Sequence, residues 1–292
     1  MSGANFGRLC WLTTLWRFQT WSSNISAEFG PESLFDIAGR VILVTGGAGK
    51  LGSSFARTLA ARGAKVAILD LHTNGIETTG TTTAYRCDVT DRESVEVALA
   101  AVEKDLGPPY GLVNAAAIDA PPDAPPEENG PLETYPLSSW KQVMEANCTG
   151  TFLPCQVVGA RLAELGRGSI VLISSIYGVV SPTQQLYAYR RAAGDEFYKP
   201  VAYSVSKSAL FNLTRYLATY WAPRNVRVNT ATFGGVLDGQ DPEFLKAYGD
   251  HSPIGRMAQP GEYDGVIVFL MSDSASYMTG ANMVVDGGWT AW

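Results

Sequence analysis

The 292-residue sequence has few residues of the kinds that bind metals or form disulfides. Only two histidines are present, His72 and His251, and they lie far apart without an HExxH pattern, so metal catalysis is disfavoured. The four cysteines show no CxxC spacing, which argues against a disulfide framework and predicts a reduced, cytoplasmic setting. The sequence GxSxG is also missing, which disfavours a Ser/His/Asp hydrolase.

Charged residues are scarce as well, at 17% of the chain, while 46% of the residues are hydrophobic. This apolar content is too high for intrinsic disorder, and a mean hydropathy close to zero argues against a membrane-embedded bundle. With 28 acidic against 22 basic residues, the formal net charge is −6. Because an acidic surface is repelled by phosphate backbones, we expect no nucleic-acid partner.

The first 33 residues differ from the rest of the chain. The segment 10–21 is rich in aromatic residues, and no acidic residue precedes Glu28, which would suit an interfacial helix or a targeting segment. However, Thr13, Thr14 and Arg17 interrupt its apolar run, which is too short to span a bilayer. We therefore expect a poorly ordered extension at 1–33, no stable membrane association, and one folded domain at 34–292.

From about Leu34 onward, short apolar runs alternate with stretches of helical periodicity. This alternation predicts an α/β domain in which a doubly wound, seven-stranded parallel sheet carries helices on both faces, as in a Rossmann-like fold. The predicted strands are residues 41–45, 65–71, 84–89, 111–115, 169–174, 226–231 and 282–285. The predicted helices are residues 50–62, 91–105, 138–164, 201–221 and 260–272.

Two segments interrupt this alternation. Residues 119–136 contain six prolines, so they can form neither a helix nor a central strand and are predicted to be a surface loop. Residues 181–200 are rich in tyrosine and charge, which is more than a flexible connection requires.

A glycine-rich turn at residues 45–52 follows the first predicted strand. Glycines allow the backbone to approach a pyrophosphate closely, and the N-terminus of the next helix offers N–H groups to it. Asp70, at the end of the second strand, can accept hydrogen bonds from ribose hydroxyls and would repel a 2′-phosphate, so NAD is preferred over NADP. Lys50 could offset that repulsion. The residues of the turn predicted to contact the cofactor are Gly46, Gly49, Lys50, Leu51 and Gly52.

Tyr203 and Lys207 form a Tyr-x-x-x-Lys pair on one face of a predicted helix. A nearby ammonium stabilises a phenolate, so Lys207 is expected to lower the pKa of Tyr203 toward the working range of an acid/base catalyst. Ser175, which follows the fifth strand, could hydrogen-bond a substrate carbonyl. Asn147 lies within the preceding helix.

Together these residues resemble the short-chain dehydrogenase/reductase family over residues 34–289. The likeness also includes Asp88 and Val89 after the third strand, Asn114 and three alanines after the fourth, and the ending 285–288 with its Asp-Gly-Gly.

The resemblance implies a role for each matching position. Tyr203 would be the general acid/base, Lys207 would lower its pKa and hold the nicotinamide ribose, Ser175 would orient the reacting oxygen, and Asn147 would maintain a water relay to Lys207. Asp88 and Val89 would face the adenine, and Asn114 the adenosine-side ribose. Further cofactor contacts are implied at Ala115, Gly234 and Val236.

Three departures from the family pattern matter. Lys50 replaces a glycine of the compact branch, and the turn can also be matched to the extended branch of nucleotide-sugar epimerases and dehydratases; the short C-terminal part favours the compact branch. Phe233 stands where the family commonly has a Pro-Gly pair, either beside the nicotinamide or in the core. The 28 positions between Ser175 and Tyr203 indicate an insertion over the active site.

The insertion at 181–200 leaves two interpretations open. Its tyrosines and its arginines, Arg190 and Arg191, could form a lid over a sugar, a phosphate or a carboxylate. Alternatively, the arginines pair with Asp195 and Glu196 on a solvated surface. The insertion and the glycine turn together are similar to oxidoreductases of bacterial surface-sugar biosynthesis.

The leading hypothesis is an NAD-preferring oxidoreductase that interconverts a secondary alcohol and a ketone on a small polar, sugar-derived substrate. The alternatives are a nucleotide-sugar epimerase or dehydratase, and a cofactor-binding protein without turnover. Family resemblance further implies a homodimer or homotetramer that uses the apolar face of the helix 201–221, although core packing also accounts for that face.

Overall fold

The structure is a computed structural model that describes residues 33–76, 78–119 and 129–292. Apart from Ser33, the predicted N-terminal extension lies outside the described residues, and so do residues 120–128 of the proline-rich loop. Within the described part, seven strands form one sheet, which confirms the predicted fold class. They are β1 (Val41–Thr45), β2 (Lys65–Asp70), β3 (Thr82–Arg86), β4 (Pro109–Asn114), β5 (Gly168–Ser175), β6 (Val226–Phe233) and β7 (Asn282–Val285).

All pairings between neighbouring strands are parallel, in the order β3-β2-β1-β4-β5-β6-β7. The chain leaves β1 toward β2 and leaves β4 toward β5, so the connections diverge between these two adjacent strands. A divergence of this kind opens a crevice at the carboxyl ends of the strands, where ligands bind in doubly wound sheets.

The central strands form because their side chains are apolar on both faces. All five residues of β1 are buried, with Val41 and Leu43 in one apolar cluster and Ile42 and Val44 in the other. Alternate residues of a strand point to opposite faces, so a strand that lacks polar alternation requires a cover on both sides.

The helices of the described residues supply these covers. The first cluster is closed by the helices at Arg92–Leu106, Gly150–Leu165 and Val201–Trp221, and the second by those at Lys50–Ala61 and Asp264–Met271. The helices are α1 (Lys50–Ala61), α2 (Arg92–Leu106), α3 (Leu137–Met144), α4 (Gly150–Leu165), α5 (Ile176–Val179), α6 (Ala188–Ala192), α7 (Val201–Trp221), α8 (Pro242–His251) and α9 (Asp264–Met271).

The predicted helix at 138–164 is interrupted in the structure. A π-helical turn at Glu145–Thr149 separates α3 from α4, and Asn147 lies inside that turn. A π-turn widens the helix by one residue, and such turns occur frequently at functional sites. Periodicity alone does not reveal it, because the apolar pattern continues on both sides.

Other elements differ from their predicted bounds. Strand β3 begins and ends earlier than predicted, so Asp88 and Val89 lie in the loop after it. Helix α8 was not predicted, although Asp241 caps it by accepting a hydrogen bond from the Glu243 N–H and Pro242 is its first residue. Both are typical helix-start signals.

The insertion at 181–200 folds into a 3₁₀ turn at Gln184–Tyr187 and the short helix α6, rather than an open loop. Its apolar residues join those of α5 and α8 in a third cluster beyond the carboxyl ends of the strands. Tyr187 lies at the centre of this cluster, with its ring centroid 4.7 Å from that of Phe197 and 5.5 Å from that of Phe244. The insertion is therefore packed in place.

Helix α4 crosses α7 at Gly159, where an added Cβ would lie 2.2 Å from the Trp221 ring. Replacing a helical glycine with alanine usually stabilises a protein, by about 0.5–1 kcal/mol. Here the methyl group overlaps a buried ring, so we expect Gly159→Ala to destabilise the fold by about 1–3 kcal/mol.

The measurement is the thermal midpoint of unfolding by circular dichroism. Gly265→Ala in α9 is the matched control, because a Cβ at Gly265 meets nothing within 4 Å. Its midpoint should be unchanged or slightly higher. Equal midpoints for the two variants would show that the α4–α7 crossing tolerates the methyl group.

Candidate active site

A cavity of about 1340 Å³ opens at the carboxyl edge of the sheet. It extends from the glycine turn, past the ends of β1, β4 and β5, to the insertion and α8. The predicted site residues that line it are Gly46, Gly49, Lys50, Leu51, Gly52, Asp70, Asp88, Val89, Ala115, Ser175, Tyr203, Lys207, Gly234 and Val236. Of the predicted site residues, Asn114 and Asn147 do not line it.

The glycine turn leaves no room for side chains. Gly46 has a φ of 63°, and a Cβ there would lie 2.6 Å from the Ala116 Cα atom, while a Cβ at Gly52 would lie 2.1 Å from the Gly46 carbonyl oxygen. Helix α1 starts after Gly49 without a side-chain cap and without an acidic residue in its first turn. Its N-terminal N–H groups and partial positive charge therefore suit the pyrophosphate of a dinucleotide.

Asp70 lies at the carboxyl end of β2, beside that turn. Its Oδ2 accepts a hydrogen bond from the Ala48 N–H (3.0 Å) and its Oδ1 accepts one from the His72 N–H (3.0 Å). Each carboxylate oxygen has a second lone pair, so the fixed carboxylate can still accept from ribose hydroxyls.

Lys50 does not pair with Asp70. Its ammonium forms an ion pair with Asp238, which lies in the loop after β6 on the opposite side of the cavity. Lys50 and Asp238 both line the cavity, so this pair bridges the predicted pyrophosphate region.

Asp88 and Asn114 differ in their surroundings. Asp88 Oδ1 accepts hydrogen bonds from the Thr90 N–H and hydroxyl, which hold the pKa of this carboxyl below its usual value. The Asn114 side chain instead points into the core, where its Oδ1 accepts from the Thr45 hydroxyl (3.2 Å) and its Nδ2 contacts Cys155 Sγ (3.2 Å). A side-chain contact of Asn114 with a ribose is therefore not supported; the residue ties β4 to β1 and α4.

Phe233 occupies the core and also reaches the cavity wall. It is 3% exposed, and its ring stacks on Tyr263 with centroids 4.2 Å apart. The interpretation as a core residue thus holds; the ring also lines the cavity, and its contact with a nicotinamide stays a prediction.

Ser175 and Tyr203 meet at the floor of the cavity. Ser175, the last residue of β5, caps the short helix α5 by accepting a hydrogen bond from the Tyr177 N–H (3.2 Å). Tyr203 is the third residue of α7, one turn before Lys207. Both side chains line the same cavity, and the Ser175 hydroxyl acts on the Tyr203 phenol in the direction that favours its ionised form.

Lys207 and Asn147 lie behind this pair. The Lys207 ammonium donates to the Ile173 carbonyl (2.9 Å) and lies 5.8 Å from the Tyr203 ring centroid. Asn147 Nδ2 donates to the Ser206 hydroxyl (2.9 Å) and to the Ile118 carbonyl (3.0 Å), while its Oδ1 accepts from the Ile118 N–H (2.8 Å). Asn147 thus fixes the chain just after β4.

The structure corrects the expected acidity of Tyr203. Burial of the phenol and the nearby Asp119 carboxylate raise its pKa to about 12, and the partly compensating cation is Lys199. Burial also lowers the pKa of Lys207 to about 8. The Lys207 ammonium, which donates to a main-chain carbonyl, lies 5.8 Å from the Tyr203 ring centroid, farther than the Lys199 ammonium at 4.9 Å.

The arginines of the insertion are engaged by the protein. Arg190 forms an ion pair with Asp195 (2.6 Å) and lies over the Phe197 ring, 3.9 Å from the centroid. Arg191 donates to the carbonyls of Gln184 (2.7 Å) and Phe197 (2.9 Å). The pairing interpretation is therefore correct for Arg190 with Asp195, whereas Arg191 binds main-chain carbonyls and not Glu196.

Sequence reasoning assigned no role to Asp119, Asp238 and Asp241, which line the cavity, and placed Lys199 only within the cluster of tyrosines and basic residues of the insertion. Lys199 and Asp119 form an ion pair beside Tyr203. The sequence contains a weak indication for Lys199 and Asp119. Asp119 follows β4 and Lys199 precedes α7, so each is next to an element that carries predicted site residues.

Within residues 33–76, 78–119 and 129–292, no group of three or more His, Cys, Asp or Glu side chains could hold a metal ion. None of the helices in the same ranges combines the length and the apolarity that a membrane span needs.

Comparison with known proteins adds relatives of known activity. A family model described as enoyl-(acyl carrier protein) reductase matches residues 46–290. A D-threitol dehydrogenase of Mycolicibacterium smegmatis is 34% identical, covering 93% of this chain and 99% of its own. A ribulose-forming D-arabinitol 2-dehydrogenase of Scheffersomyces stipitis is 32% identical, covering 88% and 96%.

Among solved structures, a short-chain dehydrogenase from Leptospira borgpetersenii with bound NAD⁺ superimposes with a TM-score of 0.78. It is 28% identical and covers 88% of this chain and 95% of its own. The expected likeness to enzymes of surface-sugar biosynthesis does not appear among these relatives and stays a prediction.

The buried Lys207 ammonium should reduce the stability of the fold. A lysine whose pKa is lower in the folded than in the unfolded protein binds a proton less readily when folded, so the stability cost is full below pH 8 and disappears as the pH rises toward 10.5. We expect Lys207→Met to be more stable than the wild type at pH 7, by at most about 3 kcal/mol. Its advantage should shrink between these two pH values.

Urea unfolding of both proteins at pH 7 and at pH 10 measures this difference. Lys65→Met is the matched control, because Lys65 is exposed and likewise donates to a main-chain carbonyl, that of Leu106. A Lys207→Met protein that is less stable than the wild type at pH 7 would contradict the assigned cost.

Proposed function

The chain belongs to the short-chain dehydrogenase/reductase family, and we propose that it is an NAD-preferring dehydrogenase that interconverts a secondary alcohol and a ketone on a small polyol. The observation that carries the proposal is that Ser175 and Tyr203 lie together on the floor of a cavity that also contains the glycine turn. A substrate carbon held at these two hydroxyls therefore shares the cavity with a dinucleotide bound at the glycine turn.

When bound, the nicotinamide supplies the hydride acceptor for oxidation. Ser175 and Tyr203 hold the substrate hydroxyl, and the Tyr203 oxygen takes its proton as the carbon is oxidised; in reduction Tyr203 returns the proton. Lys207 holds the cofactor ribose and contributes positive charge. Asn147 has a positioning role, because its side chain holds the segment after β4 and the Ser206 hydroxyl in place.

The substrate end of the cavity supports a neutral, hydroxyl-rich substrate. Phenol groups of Tyr177, Tyr187 and Tyr189 line it, together with the Asp119–Lys199 ion pair. Such groups donate to and accept from hydroxyls. Because the insertion's arginines bind protein groups, a phosphate or carboxylate lid is less well supported than contacts with a polyol such as the substrates in the relatives' names.

Asp70 supports the preference for NAD over NADP. Its carboxylate is fixed by two N–H groups at the end of β2, where a 2′-phosphate would meet it. The Lys50 ammonium, which could offset that repulsion, is paired with Asp238 instead.

A nucleotide-sugar epimerase or dehydratase is the second enzymatic candidate. Its hydride returns to the same substrate molecule, so no reduced cofactor accumulates. No observation of the structure favours it over the dehydrogenase, and the described residues after α7 form β6, α8, α9 and β7 without a further domain.

The exposed face of α7 supports a homodimer or homotetramer. Tyr216 and Tyr220 are 63% and 62% exposed, and their rings stack with centroids 6.0 Å apart. Large aromatic side chains on one exposed helix face are typical of interfaces between subunits. The cytoplasmic setting stays a prediction from cysteine usage.

Tyr203→Phe should abolish polyol oxidation while cofactor affinity is retained. Loss of a general acid/base lowers turnover by about 10²–10⁴-fold. We expect the wild type to produce NADH from at least one of D-threitol, D-arabinitol and galactitol, measured by nicotinamide absorbance, and the variant to bind NADH with a nearly unchanged Kd.

Tyr220→Phe is the matched control, because it removes an exposed phenol far along the same helix. Wild-type cofactor binding without net NADH formation from any polyol would contradict the dehydrogenase. Substantial turnover by Tyr203→Phe would contradict the acid/base assignment.

Asp70→Asn should weaken the discrimination against NADP. The amide oxygen can still accept from one of the two main-chain N–H groups, the other N–H loses its acceptor, and the charge that repels a 2′-phosphate is removed. We expect the NAD/NADP ratio of kcat/KM to fall about tenfold, which corresponds to about 1.4 kcal/mol. Asp36→Asn is the control, because Asp36 likewise accepts an N–H two residues later but lies outside the cavity. An unchanged ratio in Asp70→Asn would exclude Asp70 as the selecting residue.

A further inference from the structure

A second lysine, besides Lys207, lies at the catalytic phenol. The Lys199 ammonium is 4.9 Å from the Tyr203 ring centroid and 6.0 Å from that of Tyr177. It forms an ion pair with Asp119, and its side chain is only 9% exposed. Lys199 comes from the insertion and Asp119 from the chain after β4, so the pair joins two segments across the substrate end of the cavity.

Each partner is anchored through its main chain. Gln184 Oε1 accepts the Lys199 N–H (2.9 Å), and Gln184 Nε2 donates to the Lys199 carbonyl (3.1 Å). On the other side, Asn147 binds both the N–H and the carbonyl of Ile118, the residue before Asp119. The ion pair is therefore positioned by two side-chain amides, which a chance contact between surface side chains would not require.

The other titratable groups around the phenol are few in the described structure. Tyr177 faces it from α5, and Tyr187 from the insertion lies next to Tyr177. From α7 itself comes Lys207, whose ammonium donates to a main-chain carbonyl, lies near Cys148 and is 5.8 Å from the phenol ring centroid. The charges that act most strongly on Tyr203 are those of Asp119 and Lys199.

The two charges act on the phenol in opposite directions. A carboxylate near a phenol disfavours the phenolate and raises the pKa, whereas an ammonium favours it and lowers the pKa. The Lys199 side chain is buried, so little water screens its charge, whereas the Asp119 side chain is 42% exposed and its charge is partly screened. If one partner is removed, the charge of the other therefore acts on the Tyr203 phenol without compensation.

We propose that Lys199 and Asp119 form a positioning pair that sets the acidity of Tyr203 and so couples the packed insertion to proton transfer. Neither residue exchanges a proton with the substrate; both act through the phenol. The coupling to turnover rests on the proposed function, whereas the effect on the phenol is a property of the protein alone.

The test follows the ionisation of Tyr203 directly. In the full chain, Tyr203 alone is replaced by a ring-fluorinated tyrosine, whose phenol is more acidic than that of tyrosine, and its ¹⁹F signal reports the phenolate. Lysine ammonium groups lose their charge near pH 10.4, so the ionisation is followed well below that pH, with the charges of the ion pair in place. The variants are Lys199→Met, Asp119→Asn, the double variant and Lys199→Arg.

We expect opposite shifts in the two single variants. Loss of one charge within this distance should change the pKa by about one pH unit. At the pH where a tenth of the wild-type phenol is ionised, the phenolate signal should nearly vanish in Lys199→Met and increase severalfold in Asp119→Asn. The double variant should return close to the wild type, and Lys199→Arg should retain the wild-type fraction because the cation is kept.

Lys246→Met is the matched control, because Lys246 forms an exposed ion pair with Asp250 and does not line the cavity. It should leave the Tyr203 signal unchanged. If the pair had a purely structural role, the two single variants would not shift the pKa of Tyr203 in opposite directions. Shifts in the same direction for both variants, or no shift in either, would therefore overturn the proposal.

The pH profile of kcat for polyol oxidation completes the test. In polyol oxidation, kcat should rise with pH as Tyr203 ionises. The midpoint of this rise should move to higher pH in Lys199→Met and to lower pH in Asp119→Asn, and KM should change less than kcat. If no polyol is oxidised but the Tyr203 signal shifts as described, the proposed function fails and the positioning pair stands. If polyols are oxidised and the signal does not shift, the positioning pair fails and the proposed function stands.

Discussion

The strands of the described sheet all point in one direction, and this constraint determines where the site can lie. The carboxyl ends of β1, β2, β4, β5 and β6 share one edge, so residues separated by up to about 190 positions meet there without any local contact between them in sequence. Parallel strands buried on both faces need helices that cover them. Two of these covering helices, α1 and α7, begin at that edge. The glycine turn and Tyr203 are products of this same arrangement.

Much of this arrangement could be predicted from sequence because its signals are local. The β-branched run of β1, the periodic apolar face of α1 and the glycines between them identify a strand, a helix and the turn that a dinucleotide needs. Helix geometry alone likewise places Tyr203 and Lys207 on the same face of α7. In each case the residues that define the element are consecutive or lie one turn apart, so no knowledge of tertiary contacts is required.

The remaining features depend on contacts between distant segments, and for that reason the sequence could not reveal them. The π-turn around Asn147 continues the apolar pattern of the helices on either side. The insertion is polar in composition, yet Tyr187 and Phe197 are buried because α8 packs against them. Most clearly, the acidity of Tyr203 depends on which charges surround it: Lys207 adjoins it in sequence, but Asp119 and Lys199 approach it from other segments and act more strongly.

The third apolar cluster has a consequence for attempts to transplant substrate selectivity between related enzymes. Tyr187 of the insertion contacts Phe244 of α8, and the stack continues through Tyr248 to Trp289 near the C-terminus. A chimaera that exchanged only the insertion would leave the α8 rings facing an unmatched surface. The smallest transferable module therefore comprises both segments and the C-terminal tryptophan, although they are encoded in three separate stretches of the gene.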